Sequence, residues 1–134
     1  MARPPHDGRT GVTATLRPPA ACQGAFNLLT GLWPFVHMAS FEAVTGPKRD
    51  KWLVRTVSGL LVTIGVEQVR CARSGKGLAG ARRIGVGTAA TLTAIDVVYA
   101  SRGRISKVYL LDAIVEVMIL AWWVVTRRAA ETPS

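Results

Sequence analysis

Apolar residues are concentrated in four blocks of the chain, at about 21–44, 52–69, 84–100 and 108–126. A helix needs ~20 apolar residues to cross a bilayer, with a usable range of about 17–25, and all four blocks fall near that range. The helices of a soluble bundle would instead carry a polar stripe. The third block, IGVGTAATLTAIDVVYA, contains one charged residue and no such stripe. The pattern therefore predicts four membrane-spanning helices.

The segments between the blocks are short and contain helix-breaking residues. Gly46-Pro47 opens a basic turn, and residues 70–83 and 101–107 combine Gly with several Lys and Arg. Short connections force neighbouring helices to run antiparallel. The predicted fold is therefore all-α, a four-transmembrane-helix up-down-up-down bundle formed by residues 21–128.

The two ends of the chain differ from the blocks in composition. Residues 1–20 contain two Pro pairs and little apolar sequence, and the fixed φ and missing N–H of Pro disfavour a helix. We therefore predict a flexible basic Pro-rich tail that ends at Pro18 and Pro19. Residues 129–134 are predicted to form a short C-terminal tail.

Lys and Arg are unevenly divided between the two predicted sides of the membrane. One side carries Arg3, Arg9, Arg17, Arg70, Arg73, Lys76, Arg82, Arg83, Arg127 and Arg128; the other carries Lys48, Arg49, Lys51, Arg102, Arg104 and Lys107. Cytoplasmic loops of membrane proteins carry the excess of positive charge. This bias predicts a multi-pass protein of the cell membrane with both termini in the cytoplasm.

Overall composition agrees with this separation of apolar and basic sequence. The 134-residue chain has a formal net charge of +9 and a mean hydropathy of +0.27. No nucleic-acid-binding motif accompanies the positive charge, so we expect no nucleic-acid partner. Cys22 and Cys71 form no CxxC or metal-ligand spacing. We expect neither a metal nor a cofactor, and a redox role for the two thiols is the alternative.

Seven ionisable residues interrupt or border the apolar blocks, where a charge costs ~2.5–3.5 kcal/mol on insertion scales. They are His37, Glu42, Arg55, Glu67, Asp96, Asp112 and Glu116. The predicted topology places all of them except Glu67 in the same half of the bilayer. Glu67 lies at the opposite end, near Arg70.

These residues predict a polar pocket between the helices. Its walls are expected to be His37, Glu42, Arg55, Asp96, Tyr99, Asp112 and Glu116. Asp112 and Glu116 are four residues apart and therefore share a helix face. Structural roles are the alternatives: an ion pair between Glu42 and Arg55, snorkelling of Asp96 and Asp112, and a hydrogen-bonded core position for His37. Glu116 lies near mid-helix, where it must pair, protonate or face water.

Small residues recur at four-residue spacing in the third block, in the pairs Gly85–Ala89 and Gly87–Thr91. Such pairs let helices in a membrane approach closely. We expect them to pack within the bundle, and formation of a homodimer is the alternative.

The run FEAVTGPKRDKWLVRTV at 41–57, together with the four-span layout, resembles small uncharacterised bacterial integral membrane proteins. The layout is similar to that of DoxX-like proteins and, more distantly, to the sterol-isomerase and sigma-2-type four-helix proteins. The resemblance implies a helix-bundle pocket with buried acids. It assigns no catalytic residue to this chain.

No Ser-His-Asp pattern, phosphate loop or HExxH motif occurs, so we expect a non-enzymatic protein. Its acidic intramembrane pocket is predicted to bind a small lipophilic or cationic ligand, or a partner membrane protein. One alternative is a dimeric proton-coupled small transporter in which Glu116 or Glu42 titrates. The other is an enzyme that acts on a lipid-like substrate, with Asp96, Asp112 and Glu116 as acid/base groups.

Overall fold

A computed structural model of the protein describes residues 8–131, with side chains described for 11–129. The helices are α1 (Gly8–Val36), α2 (Met38–Thr45), α3 (Lys51–Ser74), α4 (Leu78–Ser101) and α5 (Val108–Glu131). Every regular element in this part of the chain is a helix, which confirms the all-α class. The structure has one helix more than predicted, because the first apolar block is divided in two.

The first helix begins well before the position that the sequence indicated. α1 starts at Gly8 and continues through Pro18 and Pro19, within the stretch predicted to be a flexible tail. Pro19 and the neighbouring Leu16 and Ala20 are buried against the other long helices. Tertiary packing thus overrides the low helix propensity of the Pro pair. Residues 1–7 of the predicted tail lie outside the described residues.

The break between α1 and α2 occurs at His37, inside the predicted helix 21–44. His37 has a non-helical backbone (φ −153°, ψ 84°), and its side chain accepts a hydrogen bond from Ser40 N. This bond caps the first turn of α2, where backbone N–H groups otherwise lack partners. Trp33 fixes the angle of the break: its Nε1 donates to Ser40 Oγ at 2.8 Å, and its ring packs edge-to-face on Phe41.

The remaining helices are longer than the apolar blocks that predicted them. α3 and α4 extend beyond 52–69 and 84–100 toward the loop that joins them, and α5 starts at 108 as predicted but continues into the expected C-terminal tail. Gly75 (φ 71°) and Gly77 (φ 73°) adopt left-handed backbone conformations in the α3–α4 connection. A left-handed Gly after the last helical residue is a common helix stop, and it makes this turn tight.

Glycine contacts bring α1 and α3 together as an antiparallel pair. A Cβ on Gly65 would lie 2.7 Å from Gly24 O, and a Cβ on Gly31 would lie 2.8 Å from Ser58 O. Since these neighbours are backbone atoms, larger side chains would force the helices apart. α4 and α5 form a second pair, and α1 also contacts both of them.

Two of the described helices, α4 and α5, are long and apolar enough to cross a membrane. In each, 22% of the residues of the span are buried, whereas the core helix of a soluble protein would be mostly buried. Large apolar side chains face outward on α5, including Leu111, Met118 and Val125. The four-span prediction is thus not confirmed, because α1 and α3 are not among the candidate spans.

Candidate functional site

Three of the predicted pocket residues meet between α4 and α5. Asp96 of α4 and Asp112 of α5 lie within hydrogen-bonding reach of each other, and Glu116 is close enough to interact electrostatically with both. Asp112 and Glu116 occupy successive turns of one face of α5, as their spacing predicts. These residues (Asp96, Asp112 and Glu116) are called the carboxyl cluster below.

Two members of the carboxyl cluster are buried and poorly satisfied by the described residues, and Asp112 is half-buried. Glu116 has 0% exposure and Asp96 4%. Both carboxyl oxygens of Glu116, and Oδ2 of Asp96, accept no hydrogen bond within the described part of the chain. The ion pairs that join described side chains, Lys51–Glu42 and Arg70–Glu67, lie elsewhere. Burial of a carboxylate without a partner is energetically costly. A proton or another cation would remove this cost by neutralising the negative charge of the cluster.

Glu42 lies in α2, next to the turn that leads into α3, and does not belong to this cluster. Its Oε1 accepts a hydrogen bond from Lys48 N at 3.1 Å, and its Oε2 lies 3.7 Å from Lys51 Nζ. The alternative of a structural ion pair therefore applies to Glu42, but its cationic partner is Lys51, not Arg55. Lys48 Nζ in turn lies over the ring of Tyr109, which connects this turn to the start of α5.

The other predicted pocket residues also lie outside the carboxyl cluster. Arg55 and His37 are exposed, and His37 caps α2. Tyr99 of α4 is 41% exposed. Of the pocket residues that the sequence predicted, the structure thus brings together the two aspartates and Glu116.

A second buried polar group, which was not predicted from the sequence, lies among the four long helices. Gln23 Oε1 accepts hydrogen bonds from Gln68 Nε2 and Trp123 Nε1, both at 2.8 Å. Gln23 Nε2 donates to Gly85 O at 2.9 Å, and Asn27 Nδ2 donates to Gln68 Oε1 at 3.0 Å. This amide–tryptophan network joins α1, α3, α4 and α5 through fully or almost fully buried side chains.

Gly85 explains how the network fits between the helices. A Cβ at this position would collide with the side chain of Gln23 and would lie 2.8 Å from Gln68 Nε2 and 3.0 Å from Trp123 Nε1. The small pair Gly85–Ala89 is buried, in agreement with packing inside the protein. Gly87 and Thr91, by contrast, are exposed.

The carboxyl cluster and the amide–tryptophan network lie on the same inward face of α5. Glu116 and Trp123 are seven residues apart, or about 10 Å along a helix. Thr93 Oγ1 of α4, three residues before Asp96, and Asn27 Oδ1, at the edge of the network, are also buried without a hydrogen-bond partner in the described chain. Unsatisfied polar atoms therefore occur both near the cluster and at the edge of the network.

Gln23, Asn27 and Gln68 were not predicted as site residues, because a neutral amide interrupts an apolar block less clearly than a charged residue does. A signal was present: Gln23 and Asn27 are four residues apart in an otherwise apolar block. Two amides on one face of a membrane helix indicate hydrogen bonds between helices.

The cysteines show different environments and no bond to each other. Cys22 is exposed and Cys71 is buried, and both are free thiols. Burial raises the pKa of the Cys71 thiol, and its hydrogen bond to Glu67 acts in the same direction. Cys71 is therefore a poor nucleophile, because the thiolate is the reactive form.

Proton uptake or binding of a monovalent cation is the chemistry that suits the carboxyl cluster. Among the described residues, no group of three or more His, Cys, Asp or Glu side chains is arranged to hold a metal ion. To bind, an organic cation requires a negatively charged group and apolar surroundings in place of a defined set of ligands. The outer parts of α4 and α5 are apolar.

Comparisons with protein-family models, curated proteins and solved structures find no match to this chain. The DoxX-like layout therefore stays a prediction from the sequence.

Proposed function

We propose that this protein is a multi-pass membrane protein whose carboxyl cluster binds a small lipophilic cation in exchange for a proton. The observation that carries the proposal is Glu116, which is fully buried while neither carboxyl oxygen has a partner in the described chain. Membrane interiors retain such residues mainly for function.

Two candidate spans and the exposed apolar face of α3 support the placement in a membrane. α4 and α5 meet the length and hydropathy of a span, and α3 has 24 residues, enough to cross the hydrocarbon core. α3 also exposes apolar side chains along its length, among them Trp52, Leu60 and Val66. In the proposed arrangement, lipid covers these faces.

Charge balance determines what the carboxyl cluster can bind. Three carboxyls at membrane depth cannot all be ionised without a counter-charge, so protons neutralise the empty site. A lipophilic cation then enters as a proton leaves, and the charge of the site stays constant. The apolar surroundings favour a cation with a hydrophobic surface over a strongly hydrated metal ion.

Calorimetry of the purified, detergent-solubilised protein tests this exchange. Tetraphenylphosphonium is titrated in two buffers that differ in ionisation enthalpy, so that the difference in heat gives the number of protons released. We expect saturable binding with the release of about one proton per cation, as charge conservation at a buried site requires.

Glu116→Gln is the diagnostic variant and Glu42→Gln its control. We expect Glu116→Gln to abolish proton release and to weaken binding by a factor on the order of 30 or more, since loss of one partner of a buried charge pair costs ~2–5 kcal/mol. Glu42 pairs with Lys51 outside the cluster, so its variant should bind as the wild type does. Binding without proton release, or unchanged binding by Glu116→Gln, would refute the proposal.

Proton-coupled transport is the second candidate. The observation that favours it is two unpartnered buried atoms: Thr93 Oγ1 near the carboxyl cluster and Asn27 Oδ1 in the amide–tryptophan network. Reconstituted vesicles with a pH gradient would then accumulate the cation, and Glu116→Gln would abolish the accumulation. Binding without accumulation would leave the protein as a binding protein.

A further inference from the structure

A groove on the surface of α1 and α3 lies away from the carboxyl cluster. It has a volume of about 530 Å³ and is lined by Leu28, Val66, Val69, Arg70, Arg73 and Ser74. We call it the α1–α3 groove. Leu28 comes from α1 and the other lining residues come from the last turns of α3.

The α1–α3 groove changes from apolar to basic along the helix axis. Val66 and Ser74 are eight residues apart, which corresponds to about 12 Å of helix. Leu28 lies level with the apolar end, because a Cβ on Gly65 would lie 2.9 Å from Leu28 N. The basic end coincides with the end of α3. In the membrane placement proposed above, the apolar end points into the hydrocarbon and the basic end reaches the headgroups.

The arginines of the groove differ in their partners. Arg70 donates hydrogen bonds to both carboxyl oxygens of Glu67, at 2.7 and 2.8 Å, so its charge is balanced. Arg73 is exposed and has no hydrogen bond or ion pair with the described residues. The guanidinium of Arg17 lies against Gly75, at the same end of α3. Among the described residues, the basic end thus carries positive charge without a counter-charge.

We infer that the α1–α3 groove binds one anionic phospholipid of the surrounding leaflet. Its phosphate lies against Arg73 and Arg70, and an acyl chain follows Leu28, Val66 and Val69. A guanidinium suits this role because its fork of donors matches phosphate oxygens. This inference rests on the proposed placement of the protein in a membrane, but it does not depend on the carboxyl cluster.

The apolar wall favours a lipid over free phosphate. A soluble anion would use only the basic end and would leave Leu28, Val66 and Val69 in contact with water, whereas an acyl chain covers them. Further basic residues follow the arginines in the chain: Lys76 lies in the α3–α4 connection, and Arg82 and Arg83 lie near the start of α4. Clusters of basic residues at the membrane surface attract anionic lipids.

Titration of the detergent-solubilised protein with lipids tests the inference. Phosphatidylglycerol and phosphatidylcholine with identical chains are compared by native mass spectrometry, and inorganic phosphate forms a third arm. We expect one saturable site that prefers phosphatidylglycerol. Arg73→Gln should weaken it about five-fold, which is the contribution of one basic residue near an anionic surface.

Two further variants make the test specific. Glu67→Gln frees Arg70 from its partner and should strengthen the binding of phosphatidylglycerol. Arg102→Gln removes an exposed cation from the connection between α4 and α5, and it should not change the affinity for phosphatidylglycerol. Thermal melting without added lipid shows whether each variant is folded.

Several results would overturn the inference. They are equal affinity for the two lipids, an effect of Arg102→Gln as large as that of Arg73→Gln, and displacement of phosphatidylglycerol by inorganic phosphate at similar concentration. Recovery of the protein after a carbonate wash separates this failure from that of the membrane placement. A protein that stays in the membrane fraction without any lipid preference refutes only the lipid site.

Discussion

Gln23 is the residue on which most buried hydrogen bonds converge. It accepts from Gln68 and Trp123 and donates to Gly85, so its side chain connects four helices. Glu116, two turns away along α5 from Trp123, has no partner for either oxygen. Buried polar groups are normally satisfied. The contrast indicates that the amide–tryptophan network stabilises the fold, whereas the carboxyl cluster is the candidate for the proposed binding of a cation.

Replacement of Gln23 by Leu should destabilise the protein by about 2–4 kcal/mol, because buried donors and acceptors on its partners lose their hydrogen bonds at ~1–3 kcal/mol each. Unfolding in mixed detergent micelles with increasing denaturing detergent measures the loss. Thr30→Val on the same helix removes only a bond to the preceding turn and should cost much less. Equal stabilities of the two variants would contradict the role of the network.

Cys71 should react slowly with maleimide in the folded protein. It is 3% exposed, and burial raises its pKa, so the unreactive thiol form persists to higher pH than in an ordinary cysteine. Labelling is measured in a Cys22→Ser background, with Ser74→Cys in a Cys22→Ser, Cys71→Ala background as the exposed control. Similar rates at the two positions would show that Cys71 is accessible.

Which site residues could be predicted depends on how strongly each is restricted by its surroundings. Asp112 and Glu116 could be predicted to be neighbours, because charged residues in an apolar block are expected to face the protein interior. Their four-residue spacing places both on the same face of the helix. His37 was equally conspicuous, but its role as a cap depends on a bond to Ser40 N that no periodicity reveals. Arg55 and Tyr99 share the predicted end of the helices with the acids and yet face outward.

The packing of α1 against α3 depends on close approach of the two helix backbones. Gly24, Gly31 and Gly65 allow it, since a Cβ at each would meet atoms of the facing helix at 3.0 Å or less. The sequence indicated small-residue packing in the third block but not here, because these glycines are seven or more residues apart or lie on separate helices. The sequence around a glycine does not indicate which other helix that glycine will contact in the folded protein.

Gly65→Ala should therefore destabilise the protein by about 1–3 kcal/mol, the usual range for overpacking, although Ala is the better helix former. Gly59→Ala on the same helix is the matched control: its Cβ would lie 3.9 Å from Phe35 Cζ, so this change should be neutral or stabilising by up to ~1 kcal/mol. Chemical unfolding of both variants measures the difference. The opposite order of stabilities would refute close packing at Gly65.

For the molecule as a whole, the all-α class could be predicted from the apolar blocks, while the fifth helix and the helix ends could not. Helix ends are set by caps such as His37 and by left-handed glycines such as Gly75. These local features do not alter hydropathy. Residues 8–20, which were predicted to be a flexible tail, form the start of α1. This could not be predicted from local sequence, because the buried residues of this segment contact their partners only in the folded chain.

Labelling from the two sides of the membrane tests the arrangement of the proposed spans. With the native cysteines replaced by Ser or Ala, Arg49→Cys and Lys76→Cys place thiols in the connections before and after α3. An impermeant maleimide applied to intact cells should label the Arg49 position, whereas the Lys76 position should require permeabilisation, as the distribution of basic residues indicates. Labelling of both positions from the same side would show that α3 does not cross the membrane.

In the proposed exchange, the carboxyl cluster holds a proton that leaves when a cation binds. Infrared difference spectroscopy of the protein with and without tetraphenylphosphonium observes this directly, because protonated and ionised carboxyls absorb at different frequencies. We expect a loss of protonated carboxyl absorption and a gain of carboxylate absorption on binding, both removed by Glu116→Gln and both retained by Glu42→Gln. Carboxyl bands that stay unchanged while the cation binds would refute the exchange of a proton for the cation.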